Sequence, residues 1–182
     1  IRTGDAEQCP TLLNDLLELY PHYTSLSVID PTDGALICRG LEPGVPAQVQ
    51  GLAIESAFRR AVERRAFSIG SYAVGTLTHK PVVPFALPLL GPGGEVEAVL
   101  TTTLDLVWLS RYAEDVELPA GAVITVVDGS GTVLARFPDP EDWVGTRLPE
   151  GSPFHEFLVQ PAEGVAEAQD LDGTVKLYAY SR

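Results

Sequence analysis

The sequence predicts an α/β chain of the α+β kind, in which two similar modules each carry a central antiparallel sheet with flanking helices. Three observations predict it. An apolar, β-branched run that ends at an Asp and a turn occurs twice: Leu26-Ser27-Val28-Ile29-Asp30 leads to Asp33-Gly34, and Ile124-Thr125-Val126-Val127-Asp128 leads to Gly129-Ser130-Gly131. A second apolar run follows each turn, over 35–38 and 132–135, which is the signature of a β-hairpin. Beyond each hairpin, a Pro-containing loop leads to a short helical pattern and then to further strands.

The elements follow in order. Leu12, Leu13, Leu16, Leu17 and Tyr20 recur at the spacing of one buried helix face, so an N-terminal helix is expected within residues 1–20. The first hairpin comes next. Over 54–66, Ile54, Ala57, Phe58, Ala61 and Val62 form an apolar stripe, while Glu55, Arg59, Arg60, Glu63 and Arg64 fall on the solvated face. Strands are then expected at 68–74, 81–89 and 95–104, with the turn Gly91-Pro92-Gly93-Gly94 between the last two, as an antiparallel meander. Residues 105–113 read as a connecting helix with Leu106, Leu109 and Tyr112 on one side.

In the second half a hairpin spans 122–137, and a loop rich in Pro and Asp runs to Trp143. A short helix is expected around 153–158, then strands at 165–168 and 175–180 joined by the turn Asp170-Leu171-Asp172-Gly173. The division expected is a helix over 1–20, a first module over 21–105, a connecting helix over 106–120 and a second module over 121–182. Compared with the first, the second module lacks its last strand. The chain begins at Ile1 and ends on Arg182 just after a strand-like run, which reads as a segment excised from something longer.

Composition bounds the function. With 182 residues and 45% apolar content the chain can bury a real core. Its 12 basic and 25 acidic residues give a net charge of −13, which removes the driving force for binding nucleic acid. The apolar stretch 82–90 is short and interrupted by Pro84 and Pro88, so contact with a membrane is expected only through segments outside this chain. Two cysteines are present, Cys9 and Cys38, in no metal-type pair. If the N-terminal helix packs on the hairpin they meet, and a disulfide would add about 3.5 kcal/mol and place the domain in an oxidising compartment. The alternative is two buried free thiols.

Reactive constellations are not evident. His22, His79 and His155 lack metal spacing, and no nucleophile elbow, P-loop or dinucleotide fingerprint is present. Asp139-Pro140-Glu141-Asp142 reads as a solvated loop sooner than a calcium loop, and His79 with Lys80 as surface sooner than an anion site. No catalytic residue, metal or cofactor is expected.

The strings Tyr23-Thr24-Ser25-Leu26-Ser27-Val28-Ile29-Asp30, Phe58-Arg59-Arg60-Ala61, Gly70-Ser71-Tyr72-Ala73-Val74-Gly75 and Asp139-Pro140-Glu141-Asp142-Trp143-Val144-Gly145 occur in an order that resembles a double Cache domain. The resemblance spans nearly the whole chain from about Cys9. It implies two PAS-like modules stacked along a long N-terminal helix, in the extracytoplasmic (periplasmic) part of an inner-membrane receptor. The outputs of such receptors are histidine kinases first, with diguanylate cyclases and chemoreceptors as alternatives. It further implies a small-molecule pocket in the first module and a relaying second module.

Members that bind amino acids carry an Arg-x-Trp-Tyr pattern at the start of the pocket helix. Here the Arg position falls on Glu55, the Trp position on Ala57 and the aromatic position on Phe58, so the carboxylate clamp is absent. Asp105 matches the amine-binding Asp of that family. The resemblance therefore implies a cationic or neutral ligand that is not an amino acid. Ligand-binding residues expected are Glu55, Phe58, Tyr72, Phe85, Leu87, Thr101, Thr103 and Asp105. For Asp105 the role of helix N-cap stands beside that of ligand contact, and for Phe58, Tyr72, Phe85 and Leu87 ordinary core stands beside pocket wall. By period-two alternation Val99, Thr101, Thr103 and Asp105 share one strand face, and Ala98, Leu100 and Thr102 the other. Three functions remain: a small-molecule sensor, a dimerisation and relay module without a ligand, and an unrecognised enzyme. A homodimer through the N-terminal helix is a further expectation, since Leu12 to Leu19 cover more than one face.

Overall fold

The computed structural model describes residues 8–41, 55–76, 78–114, 117–150, 152, 155, 157, 163–169 and 174–181. The helix expected at the N-terminus is α1 (Cys9–Leu19), with Pro10 in its first turn, where a missing N–H costs nothing. Residues 1–7 lie outside the described residues, as do Ile54, most of the helix expected over 153–158, the turn 170–173 and Arg182.

A six-stranded antiparallel sheet fills the first half. Its order is β2 (Leu36–Leu41), β1 (Tyr23–Ile29), β6 (Val96–Asp105), β5 (Pro81–Leu90), and β5 pairs along its far edge with both β3 (Ser68–Ile69) and β4 (Ala73–Val74). The single strand expected over 68–74 is thus two short ones. The reason lies in β5: Pro84 has no N–H to return, so the Gly70 N–H donates to the Pro84 carbonyl at 2.7 Å and the chain then leaves the ladder. Gly70 is required at that point, because a Cβ would run into the Pro84 ring.

Two helices cover opposite faces of this sheet. On one face α1 packs Cys9, Leu13 and Leu17 against Leu26, Val28, Cys38 and Ala98. On the other, α2 (Glu55–Arg64) packs Ala57 and Ala61 against Ala86 and Val99. Ala98 and Val99 are neighbours on β6, and their opposite directions assign the two faces. Gly40 lets α1 approach β2, since a Cβ there would meet the Leu13 backbone at 2.7 Å. Cys9 and Cys38 are disulfide-bonded across this contact, with Cα atoms 6.1 Å apart.

From the end of β6 the chain passes directly into α3 (Leu106–Glu114), whose Leu106, Ser110 and Ala113 are buried. Helix α3 packs against β8 (Val133–Phe137), the second strand of the hairpin begun by β7 (Ile124–Val127). The loop expected before Trp143 contains a further turn of helix, α4 (Pro140–Trp143), entered through Pro140. The last elements, β9 (Glu163–Gln169) and β10 (Val175–Ser181), form their own antiparallel pair. In the first sheet β6 lies between β1 and β5; among the described residues no strand lies between β7 and β10. Both of these strands line a cavity of about 730 Å³, together with Arg136 and Trp143, whose guanidinium and ring lie 4.2 Å apart.

The two hairpin turns are closed in the same way. In the first, Asp30 Oδ1 accepts hydrogen bonds from the Thr32 N–H at 2.8 Å and its hydroxyl at 2.5 Å. In the second, Asp128 Oδ1 accepts from the Ser130 N–H at 2.8 Å, the Ser130 hydroxyl at 2.7 Å and the Thr132 N–H at 3.0 Å. Gly34 and Gly131 follow at φ +73° and +80°, the left-handed conformation that glycine adopts without a steric penalty. Hydrogen bonding from Thr32 lowers the Asp30 carboxyl below its ordinary value. Burial pushes the Asp128 carboxyl up, but hydrogen bonds from Ser130, Thr132 and Tyr72 outweigh it and hold it low.

Two measurements check this account. The bond between Cys9 and Cys38 closes 29 residues of sequence, so Cys9→Ala with Cys38→Ala is expected to lose about 3.5 kcal/mol in urea unfolding; an unchanged midpoint would contradict the packing of α1 on β2. A depressed carboxyl stabilises above its unfolded value, near 3.8, and loses that contribution as pH falls through the folded value. The stability gap between wild type and Asp128→Asn is therefore constant above about pH 5 and closes on acidification below 3.8.

Candidate ligand-binding face of the first sheet

The face of the sheet that meets α2 carries a row of hydroxyls. Ser27 pairs across the ladder with Thr101, and Ser25 with Thr103, so alternation brings all four to one side. Thr101 donates to the Ser27 carbonyl at 3.3 Å, and Thr103 Oγ1 lies 2.5 Å from Thr24 Oγ1 and 3.2 Å from Ser25 Oγ. On β2, opposite Ser27, Arg39 donates its Nε–H to Ser27 Oγ at 3.2 Å. Burial lowers the pKa of this guanidinium from its usual value. Ser27, Thr101 and Thr103 are buried, which makes this a desolvated polar strip.

The acidic groups expected here have cations of their own. Glu55, in the first turn of α2, is paired with Arg59 one turn later on the exposed side of the helix. Asp105 ends β6: its Oδ1 accepts the Val107 N–H at 2.8 Å and the Trp108 N–H at 3.4 Å, and its Oδ2 meets Lys80 Nζ at 3.1 Å. Asp105 therefore caps α3. Such a cap with a neighbouring cation leaves the carboxylate little capacity for an external amine.

Phe58 is half-buried against the cluster of Ala57, Ala61, Ala86 and Val99, on the same side as the hydroxyls. The structure therefore brings Phe58, Thr101 and Thr103 to one face. It does not bring Phe85 and Leu87 there. Ala86 points to α2 and Leu89 to α1, so Phe85 and Leu87 stand on the α1 side, with Leu87 exposed and Phe85 against Phe67 at 5.7 Å between ring centroids. The expectation that they wall the same cavity as Phe58 is corrected by this alternation. Tyr72 goes elsewhere again: it lies between β3 and β4, and its ring packs on Gly145 of the second half.

Sequence reasoning missed Ser25, Ser27 and Arg39. The signal was present, since Ser25 and Ser27 alternate with the buried Leu26 and Val28, and Arg39 sits between Cys38 and Gly40.

Residues 108–182 match the family dCache_1_like, described as a histidine kinase sensor domain. The extracellular domain of mmHK1S-Z3 superposes with a TM-score of 0.75 at 16% identity, covering 100% of this chain and 76% of that one. The chain shares a double Cache-type fold with that domain. The corresponding domain of rpHK1S-Z16 matches at TM-score 0.73 and 20% identity, over 97% of this chain and 72% of that one. The ligand-binding domain of the amino acid chemoreceptor PctB of Pseudomonas aeruginosa PAO1, solved with L-Gln, is similar to this double Cache-type fold at TM-score 0.65 and 22% identity, over 97% and 68%. Among curated proteins none gives a significant match.

The cap can be separated from the ion pair by substitution. Asp105→Ala is expected to cost about 1–2 kcal/mol in urea unfolding, whereas Asp105→Asn, which keeps the capping oxygen, is expected to lose less than half of that. Equal losses would show that the cap contributes nothing.

Proposed function

We propose that this chain is the extracytoplasmic, periplasmic ligand-sensing part of an inner-membrane receptor whose output is a histidine kinase. The match of residues 108–182 to a histidine kinase sensor domain, on a fold similar to extracellular receptor domains along its whole length, carries this reading. The disulfide between Cys9 and Cys38 supports an oxidising location. In this reading residues 21–105 and 121–182 are two stacked PAS-like modules, with 106–120 as the connecting helix. A further strand would complete the second sheet between β7 and β10.

The ligand binds on the α2 side of the first sheet. Phe58 supplies an apolar wall, and Ser25, Ser27, Thr101 and Thr103 supply hydrogen bonds. Of the two ligand charges that the sequence allows, the neutral one is favoured, because Glu55 and Asp105 already hold Arg59 and Lys80. A ligand that prefers one arrangement of this face shifts the population of the receptor, and α3, which runs from β6 onto β8, carries the change to the second module. A homodimer through α1 remains part of the proposal, since Leu12 and Leu19 are exposed on that helix.

A thermal-shift screen of neutral polyols and amides, primary amines and simple carboxylates tests this. A neutral compound at 100 times its Kd is expected to stabilise the domain by about 2.7 kcal/mol, and Thr101→Val with Thr103→Val to abolish that shift. Tight binding of an amine, or of a carboxylate in a manner lost with Arg39→Ala, would overturn the ligand assignment. Silence across the whole panel would favour a relay module without its own ligand.

A further inference from the structure

The repeated aspartates differ in one respect. Asp30 closes the first hairpin turn at the surface, with partners from its own turn. Asp128 closes the second turn with the same oxygen, Oδ1, but its other oxygen is buried without a close hydrogen bond of its own, and the backbone N–H of Tyr72 acts on this carboxylate from the first half of the chain. The Tyr72 ring meanwhile covers Gly145. Gly145 has φ +85° and donates its N–H to the Val133 carbonyl at 2.8 Å, while the Val133 N–H donates to the Thr146 carbonyl at 2.9 Å. The loop that Tyr72 touches is therefore stapled to β8 through two backbone hydrogen bonds. A side chain at 145 would enter the space of the ring.

The segment that carries Tyr72 is anchored at both ends. Gly70 is held to Pro84, Ala73 and Val74 pair with β5, and Arg60 of α2 donates its Nε–H to Ser68 Oγ at 3.2 Å and an Nη2–H to the Ile69 carbonyl at 2.5 Å. A movement of α2 therefore pulls on β3 through Arg60, and the short link Gly70-Ser71-Tyr72 delivers it to Asp128 and Gly145. We propose that Tyr72 is a coupling strut: it transmits displacement of α2 and β3 to the β7–β8 hairpin, on a route separate from α3. The proposal relies on the reading above only for the origin of the movement, a ligand beneath α2. Coupling between two sites is reciprocal, so a disturbance at Gly145 must also be felt at β3 and β4.

Amide spectra of the ¹⁵N-labelled protein test the strut without any ligand. Arg60→Ala, which releases β3 from α2, is expected to shift the amides of Ser130 and Gly145. That shift should fall by at least half when Tyr72→Ala is added, which removes the ring, and persist with Tyr72→Phe, which keeps it. In the other direction, Gly145→Ala is expected to move the amides of Ile69 and Ala73, which gives a second reading should Tyr72→Ala fail to fold. Shifts at Ser130 that are the same with and without the Tyr72 ring, or no response at Ser130 and Gly145 to Arg60→Ala, would overturn the strut. A ligand screen without hits, by contrast, would bear only on the ligand assignment.

Discussion

Strand β6 is the constraint on which the rest of the first half depends. It lies between β1 and β5, with Ala98 under α1 and Val99 under α2. Because side chains alternate along a strand, this one placement decides which residues of the neighbouring strands reach each helix. It sends Leu26, Val28, Cys38 and Leu89 toward α1, and Ser25, Ser27, Arg39 and Ala86 toward α2. A slip of one residue would exchange the apolar layer for the hydroxyl row and leave Thr101 and Thr103 facing leucines. The Thr24 and Thr103 hydroxyls, in contact across the ladder, oppose such a slip.

The same strand sets the junction between the two halves. Asp105 is its last residue and the cap of α3, so sheet and helix share a carboxylate that Lys80 neutralises. There is no flexible linker at this point. Helix α3 follows the sheet directly, buries Ser110 and Ala113, and packs on β8, where Val133 and Ala135 are fully buried. A second contact, Tyr72 on Gly145, joins the far edge of the sheet to the loop that is hydrogen-bonded to β8. The two halves thus meet at two places, through α3 on β8 and through Tyr72 on Gly145.

Much of the fold was legible because its signals are local. The Asp-and-turn repeat reports two hairpins closed by the same carboxylate geometry, and the stripe of Ala57, Phe58 and Ala61 marks the buried face of α2. Alternation along the sequence also separates Ala98 from Val99. The site was less legible because it depends on register between distant strands. Nothing near Phe85 announces that Ala86, and not Phe85, shares a face with Thr101; that follows from the β5–β6 pairing. Charge was misleading for a similar reason. Glu55 and Asp105 read as open acids in one dimension, and their cations, Arg59 and Lys80, become partners through a helical turn and a strand pairing. Arg39 escaped notice because its hydroxyl partner, Ser27, lies on another strand.

The central claim is that the α2 side of the first sheet is the face that receives a ligand. A crystal structure of the domain with a compound that stabilises it tests this most directly. The account predicts the compound against Ser25, Ser27, Thr101 and Thr103, with Phe58 beside it. A compound bound on the opposite face against Phe85 and Leu87, or in the cavity between β7 and β10, would contradict it.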